Sequence, residues 1–315
     1  MGYTSDHVRR DISVATGGVT WKGFTWNLQE RCYSKADGPR GYANNPLNCT
    51  EDQNQYETRK KRQIDEMVDV CKKKRFDFGL LQEVDFCFSE YYMRKDPDEK
   101  IPDWLPASLD AMLQYFSQAM NNIGFKFISY EDKEIVIIYK AHKLKFINSC
   151  THLTYKSKRA SARTSDKDVL FLGTFRDNDG DTVKLGSMHG NYNEDYSESI
   201  PKLLEDLKKE KDCVILGGDT NHPSGYKMPN LLTPDEHDIT NFFTNYAEIN
   251  GRYTKVQLED TRCGLFKAYD GFFVTCAEGE VIISGSHVWS KNAKPNGEDE
   301  YPVLLTTTLT NRILL

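Results

Sequence analysis

The chain has 315 residues, with 41 lysines and arginines against 47 aspartates and glutamates, which gives a formal net charge of −6. This length can bury a sizeable core, and the 12% of aromatic residues can supply one. No run of about 18 apolar residues occurs, so we expect no membrane-spanning helix and no integral membrane association. The first residues lack an apolar segment typical of a cleaved secretory signal. We therefore predict an intracellular, cytoplasmic protein, or one that is exported without a cleaved signal peptide.

Eight cysteines are scattered along the chain without any C-x-x-C motif. This spacing argues against a structural zinc site and against a dense disulfide framework. Several cysteines lie in apolar runs, such as Cys213 in CVIL, and we expect them to be reduced thiols. Reduced thiols are typical of an intracellular compartment.

No repeat and no linker rich in Pro, Gly or Ser divides the sequence. We predict an irregular N-terminal lead-in over residues 1–20 and a single domain over 21–315. Within this domain, residues 37–55 are rich in Gly, Asn and Pro and predict a long loop.

Short runs of β-branched or aromatic residues, bounded by turn residues, predict many strands. These runs cover 23–28, 78–84, 125–130, 134–140, 143–149, 169–176, 182–188, 213–219, 271–275, 281–289 and 303–309. Helical spacing of apolar residues predicts three helices: one with Ile64, Met67, Val68 and Cys71 on one face, one over 105–123 and one over 197–210.

Many strands with few helices between them favour two packed β-sheets over a doubly wound parallel fold. The strands at 134–140 and 143–149 resemble an antiparallel hairpin, as do those at 169–176 and 182–188, the latter turned by Asp179-Gly180. The predicted fold class is α+β: a four-layer α/β-sandwich of two packed, mainly antiparallel β-sheets flanked by helices.

Motifs that would indicate other chemistries are missing from the sequence. It contains no P-loop, no dinucleotide-binding glycine motif, no H-E-x-x-H and no G-x-S-x-G. The segment DNDGD over 177–181 resembles only part of a calcium-binding loop. Putting Gly180 at the sixth loop position leaves Phe175 where a carboxylate is needed, so a hairpin turn is favoured.

Polar residues at strand ends remain as candidates: Asn27, Glu83, His189, Asp219, Asn221, Asp270 and Asp299. A single acidic residue that closes a strand is usually a solvated turn, but this set recurs in several strands. Oxygen ligands that converge from several strands suit Mg²⁺, which prefers one or two carboxylates with waters and substrate phosphates.

The order and the local sequences of these segments resemble those of the endonuclease/exonuclease/phosphatase superfamily, which has the deoxyribonuclease I-like fold. The matching strings extend over nearly the whole chain and are FTWNLQE, LLQEVD, IVIIYK, LGSMHGNYN, VILGGDTN, YDGFF and EDEYPVLLTTTL. The resemblance implies a Mg²⁺-dependent phosphoesterase, with Mn²⁺ as a substitute ion. It further implies that Glu83 is the main metal ligand, with Asn27 beside it as ligand or orienting amide and Asp270 as a further acidic ligand.

The resemblance also implies the catalytic residues. His189 would donate to a non-bridging phosphate oxygen, while Asp219 and Asn221 would position the attacking water. Asp299 would be paired with the residue that follows it, which in the family is a histidine.

That histidine is replaced in this chain. The family motif S-D-H-x-P-V corresponds to EDEYPV over 298–303, so Glu300 stands at the histidine position. A carboxylate repels a phosphate, unlike a protonated imidazole. Three interpretations stay open: Glu300 acts as a base or recruits a second cation, His287 or His222 takes over the role, or the protein is an inactive relative that binds a ligand.

Basic residues supply the substrate prediction. The stretch KSKRASAR over 156–163 lies where relatives often have a phosphate-contacting arginine, so Arg163 or Arg159 is a candidate substrate clamp. The basic residues of the first helix, at 60–62 and 72–75, are predicted to form a solvated face. We expect a monomer that acts on a phosphate-containing substrate, with nucleic acid favoured over a phospholipid or inositol-phosphate headgroup.

Overall fold

In the residues that it describes, the computed structural model of the chain has two β-sheets packed face to face, with two long helices outside one of them. It describes residues 9–28, 52–87, 102–130, 134–155, 167–189, 213–219, 246–249, 252–255, 270–275, 280–286 and 308–314. The helices are α1 (Gln53–Lys74) and α2 (Leu105–Asn122), and a short 3₁₀ turn covers Asp85–Cys87.

Fourteen strands are present in these residues, seven in each sheet. The strands are β1 (Arg10–Thr16), β2 (Val19–Asn27), β3 (Phe78–Gln82), β4 (Phe125–Ser129), β5 (Val136–Lys140), β6 (Lys145–Tyr155), β7 (Lys167–Arg176), β8 (Thr182–His189), β9 (Cys213–Asp219), β10 (Tyr246–Ile249), β11 (Arg252–Lys255), β12 (Asp270–Thr275), β13 (Glu280–Ser286) and β14 (Thr308–Leu314).

The first sheet has the order β14-β13-β1-β2-β3-β5-β4 and the second has the order β11-β10-β12-β9-β8-β7-β6. Neighbouring strands are antiparallel except in the pairs β2–β3, β8–β9 and β10–β12, which are parallel. This architecture confirms the predicted α+β sandwich of mainly antiparallel sheets. The helix predicted over 197–210 lies outside the described residues.

Two apolar cores follow from the period-two alternation of the strands. Leu80 faces the second sheet and packs in one core with Leu185 and Ile215, whereas Leu81 faces the helices. The helix-side core contains the predicted apolar face of α1, because Ile64, Met67 and Cys71 are buried and Val68 packs partly buried against them. The first two predicted helices are therefore confirmed.

Helix α1 begins earlier than the predicted loop allows. The Asp52 side chain accepts a hydrogen bond from the Gln55 backbone N–H at 2.8 Å, and the Gln55 side chain accepts one from the Asp52 N–H at 3.0 Å. This reciprocal capping box starts the helix at Gln53, so residues 53–55 are helical. The rest of the predicted loop, over 37–51, lies outside the described part of the chain.

The prediction of an irregular lead-in over 1–20 is wrong for strand β1, which lies between β13 and β2 inside the first sheet. Ile12 and Val14 alternate into the inter-sheet core. Gly17 and Gly18, with φ of 57° and 83°, form the two-residue turn into β2. Successive positive φ values suit a tight hairpin turn, and glycine adopts them without the Cβ penalty.

The predicted hairpin of 134–140 with 143–149 is also wrong, since β5 belongs to the first sheet and β6 to the second. Lys143 lies in the connection, where its Nζ contacts the Asp77 carboxylate and the Thr20 carbonyl oxygen, each at 2.8 Å. Leu144 then enters the inter-sheet core. The predicted hairpin of β7 with β8 is confirmed by the pairing of Arg176 with Thr182.

In the part of the chain that the structure describes, Cys213 and Lys60 depart from the sequence prediction. Cys71 is a free, buried thiol, and burial raises its pKa to about 12. Cys213 is instead disulfide-bonded, so the expectation of a reduced thiol is wrong there. On α1, Lys61 is exposed as predicted, whereas Lys60 is completely buried against Asp85. Within the described chain, neither α1 nor α2 has the apolar length to cross a bilayer.

The central position of β1 predicts that Ile12→Ala is strongly destabilising. Ile12 is 2% exposed, so truncation should lower the free energy of unfolding by about 2–5 kcal/mol through lost burial and a residual cavity. Urea unfolding of both proteins measures this change. Ser13→Ala, at the half-buried neighbouring position, is the control and should change stability by less than about 0.5 kcal/mol. Unchanged stability of Ile12→Ala would contradict the placement of β1.

Candidate functional site

The carboxyl ends of two parallel strand pairs define one edge of the sandwich. In the first sheet, Asn27 at the end of β2 pairs with Gln82 at the end of β3. In the second sheet, His189 at the end of β8 pairs with Asp219 at the end of β9. Strand β12 runs antiparallel to β9 and begins at this edge, with Asp270 opposite Asp219. The register therefore gathers five strand ends.

Glu83 connects the two sheets at this edge. Its Oε1 accepts a hydrogen bond from Asn27 Nδ2 at 2.8 Å and lies 3.4 Å from His189 Nε2. Asn27 is fully buried, while the side chains of Glu83 and His189 are 17% and 22% exposed. The cluster of Asn27, Glu83 and His189 is thus buried on its inner side and accessible to solvent on its outer side, as a site for a charged ligand requires.

The backbone of Glu83 is unusual because its φ is 53°, in the left-handed region. A residue other than glycine held there costs about 1–3 kcal/mol, and such strain clusters at functional sites. The positive φ turns the chain sharply directly after β3. The carboxylate consequently lies beside Asn27 and His189 instead of continuing the strand.

Two glycines bring β9 close to its neighbours immediately before Asp219. A Cβ at Gly218 would overlap the backbone carbonyl of Met188, and a Cβ at Gly217 would press on Leu80 and Phe272. At Gly218, only glycine permits this approach without displacing backbone. The G-G-D sequence therefore allows β9 to end next to His189.

A buried polar network ties the sheets together one residue before Glu83. Gln82 Nε2 donates to Ser187 Oγ at 2.8 Å and to Thr25 Oγ1 at 3.2 Å. Ser187 Oγ in turn donates to the Leu81 carbonyl oxygen at 3.0 Å. Gln82, Thr25 and Ser187 are all fully buried. No sequence motif marks these three residues, although Gln82 directly precedes Glu83 in the LLQE string.

The predicted site residues divide into three groups. The described side chain of Glu83 contacts those of both Asn27 and His189. Asp219 and Asp270 have their backbones at the same edge. The remaining candidates, which lie outside the described residues, are Arg159, Arg163, Asn221, Asp299 and Glu300, together with His222 and His287.

The chemistry of the donor set bears on the metal prediction. Among the described side chains, no group of three or more His, Cys, Asp or Glu residues is assembled for a metal ion. A closed nitrogen and sulfur cage of the structural zinc type is therefore not formed by these residues. Mg²⁺ needs less from the protein, because it keeps several waters and binds through one or two carboxylates. Glu83 with the Asn27 amide beside it fits that requirement.

Comparisons with known proteins give matches only among solved structures; no family profile and no curated sequence matches the chain. The chain is similar to an endonuclease/exonuclease/phosphatase from Bacteroides vulgatus at 13% identity and a TM-score of 0.48, over 87% of this chain and 88% of that chain. It is similar to the human Nocturnin catalytic domain with bound sulfate at 11% identity and a TM-score of 0.40, over 81% and 87%.

A further match is the D. rerio protein TDP2 complexed with a single-strand DNA product, at 17% identity and a TM-score of 0.31, over 50% of this chain and 53% of that chain. The chain thus spans about half the length of this TDP2 structure. All three TM-scores lie below 0.5.

The inter-sheet network predicts coupling between Gln82 and Ser187. Gln82→Met should lower the free energy of unfolding by about 1–3 kcal/mol, because buried polar partners lose their hydrogen bonds. In a double-mutant cycle with Ser187→Ala, the two changes should couple by about 0.5–3 kcal/mol. Urea unfolding of the four proteins measures both quantities. Gln53→Met, at an exposed position of α1, is the matched control. Strict additivity of the two changes would argue against the network.

Proposed function

We propose that the chain belongs to the endonuclease/exonuclease/phosphatase superfamily and is a metal-dependent phosphoesterase that hydrolyses phosphodiester bonds of nucleic acid. The observation that carries this proposal is the contact of Glu83 with both Asn27 and His189 at one edge of the sandwich. These residues come from three strand ends in two sheets and occupy the positions for which the family resemblance implies catalytic roles.

The divalent ion would be held by Glu83, with Asp270 as a second acidic ligand. Asn27 Nδ2 donates to the Glu83 carboxylate, which supports an orienting role for the amide. When bound, the ion would neutralise negative charge on the phosphate oxygens and so stabilise the transition state. An N–H donor also fixes one carboxylate oxygen, which leaves the geometry of the ligand less free to vary.

The other residues would act on the substrate and on water. His189 lies 3.4 Å from Glu83, within reach of a phosphate held beside that carboxylate, and would donate to a non-bridging oxygen. Asp219, opposite His189 in the register, would orient the attacking water together with Asn221. Arg163 or Arg159 would contact the phosphate backbone. In phosphoryl transfer the protein contributes chiefly such alignment and charge stabilisation.

Removal of the Glu83 carboxylate tests the metal assignment. Glu83→Gln should lower turnover at least about 100-fold, because loss of a ligand removes several kcal/mol of charge stabilisation and about 1.4 kcal/mol is tenfold in rate. Hydrolysis of single-stranded RNA, DNA, sphingomyelin and phosphoinositides, each with Mg²⁺, Mn²⁺ or EDTA, gives the rates and the substrate class.

The control for this experiment is Asp69→Asn, which alters an exposed carboxylate on α1. Circular dichroism and urea unfolding establish that both variants fold. A Glu83→Gln protein that turns over as fast as the unaltered chain refutes the metal assignment. Hydrolysis of a lipid headgroup but not of nucleic acid would support the phosphoesterase activity and refute nucleic acid as the substrate.

A non-catalytic binding module is the second candidate, and Glu300 at the histidine position favours it. Glu300→His separates the two possibilities. A large gain in hydrolysis would indicate a degraded site, whereas a loss would mean that the carboxylate takes part in the reaction. If Glu300 recruits a second cation, metal titration of the unaltered chain should give two binding events that become one in Glu300→Gln.

A further inference from the structure

A buried ion pair joins helix α1 to the chain segments that follow both strands of the site in the first sheet. Lys60 Nζ lies 3.0 Å from Asp85 Oδ1, and both side chains are completely buried. The same ammonium group lies 3.5 Å from the Leu28 carbonyl oxygen. Leu28 directly follows Asn27, and Asp85 is two residues after Glu83. One cation therefore contacts the chain next to both proposed metal-site residues.

Two further side chains of α1 approach the same carbonyl. Gln63 Nε2 donates to the Leu28 oxygen at 2.6 Å and Arg59 Nη1 donates at 3.4 Å. We call Arg59, Lys60 and Gln63 the α1 clamp. All three are almost or completely buried, on a helix whose remaining buried residues are largely apolar. A single strand-end carbonyl thus receives three donors from one helix face.

Hydrogen bonds also connect the neighbouring backbone on both sides of the turn, to β3 and to the residue two positions before β5. The Leu28 N–H donates to the Gln82 carbonyl oxygen at 2.9 Å, and the Val84 N–H donates to the Glu134 carbonyl oxygen at 3.1 Å. The Phe86 N–H donates to Asp85 Oδ1 at 3.0 Å, the oxygen that also contacts Lys60. The turn that contains Glu83 is therefore fixed on both sides of its strained residue.

Stability alone is a poor explanation for this arrangement. Desolvation of two buried charges offsets much of their attraction, and replacing a buried pair with apolar residues of similar volume is often neutral or stabilising. A fixed direction for neighbouring backbone is what a charge pair with hydrogen bonds adds over apolar packing. The residues whose backbone is fixed here are those flanking Asn27 and Glu83.

We propose that the α1 clamp, and Lys60 in particular, positions Asn27 and Glu83 relative to each other so that they bind a divalent cation. Lys60 is a positioning residue, because it acts through Leu28 and Asp85. The inference rests on the proposed function in that Glu83 is taken as the metal ligand. According to this proposal, helix α1 contributes none of the site residues but holds Asn27 and Glu83 in their relative position.

The decisive variant removes both charges of the pair, in the full chain. Lys60→Met/Asp85→Asn replaces both charges with neutral side chains of similar volume and keeps the oxygen that accepts from Phe86, so its urea midpoint should stay close to that of the unaltered protein. Its affinity for Mn²⁺, measured by electron paramagnetic resonance of the free ion, should fall at least tenfold. Lys61→Met, at the exposed neighbouring position, is the control and should bind Mn²⁺ normally.

Amide hydrogen exchange of the metal-free proteins gives a readout independent of the cation. In the double variant the amides of Leu28 and Val84 should exchange at least tenfold faster, while that of Leu185 in β8 should be unchanged. A merely structural role would alter the urea midpoint and all protected amides together. A folded double variant with normal Mn²⁺ affinity and normal exchange at Leu28 and Val84 overturns the proposal.

A second variant covers the case in which the double variant does not fold. Gln63→Met removes the shortest clamp hydrogen bond to Leu28 without leaving a buried charge unpaired. It should weaken Mn²⁺ binding at least threefold, and normal binding would then overturn the proposal. Failure of the proposed function has a different signature: the unaltered protein and Glu83→Gln bind Mn²⁺ equally. In that case, the amide exchange rates at Leu28 and Val84 still test whether the α1 clamp fixes the backbone beside Asn27 and Glu83.

Discussion

A hydrogen bond between fully buried side chains, from Gln82 Nε2 to Ser187 Oγ, fixes how the two sheets lie against each other at the site edge. Apolar packing between sheets is non-directional and tolerates small slides. A buried amide that loses its partner costs about 1–3 kcal/mol, so the polar contact disfavours such a slide. Because Glu83 follows Gln82 and His189 lies two residues beyond Ser187, the same bond determines the distance between these site residues.

The register of the strands then limits what a single substitution or insertion can do at this edge. A slip of one residue in β3 would turn Gln82 away from Ser187 and bring Glu83 into the sheet, since successive side chains point to opposite faces. The left-handed φ of Glu83 ends the strand directly after Gln82. Gln82 therefore still faces Ser187, and Glu83 lies outside the sheet. Helix α1 holds the opposite side of the turn through Asp85.

The strand ends of the site were predictable because they combine two local signals. A buried strand has a short run of apolar residues. A polar residue at the end of that run, such as Asn27 or Glu83, is therefore recognisable in the sequence. Strand β1 was missed because only Ile12 and Val14 alternate in it, although Gly17-Gly18 before the next strand is a hairpin signal. The connection from β5 to β6 was mistaken for a hairpin because two residues between strands do not reveal which sheet each strand joins.

The supporting residues could not be predicted for a different reason. A lysine is almost always exposed unless it is paired, and the partner of Lys60 is Asp85, which is distant in sequence and follows another element. The same holds for Gln82, whose partner Ser187 is 105 residues away. Such residues acquire their role only from contacts that the fold creates, whereas Asn27 and Glu83 belong to local strings that resemble a family.

The charge of the site edge links these structural points to the proposed chemistry. Glu83, Asp219 and Asp270 belong to strand ends at one edge, in a chain with a net charge of −6. An edge with several acidic residues disfavours the approach of a phosphate, so an anionic substrate would require a cation at the same place. A divalent ion meets this need only if its ligands keep a fixed separation. The buried contacts of Ser187 with Gln82 and of Lys60 with Asp85 would supply that fixed separation from the two sides of Glu83.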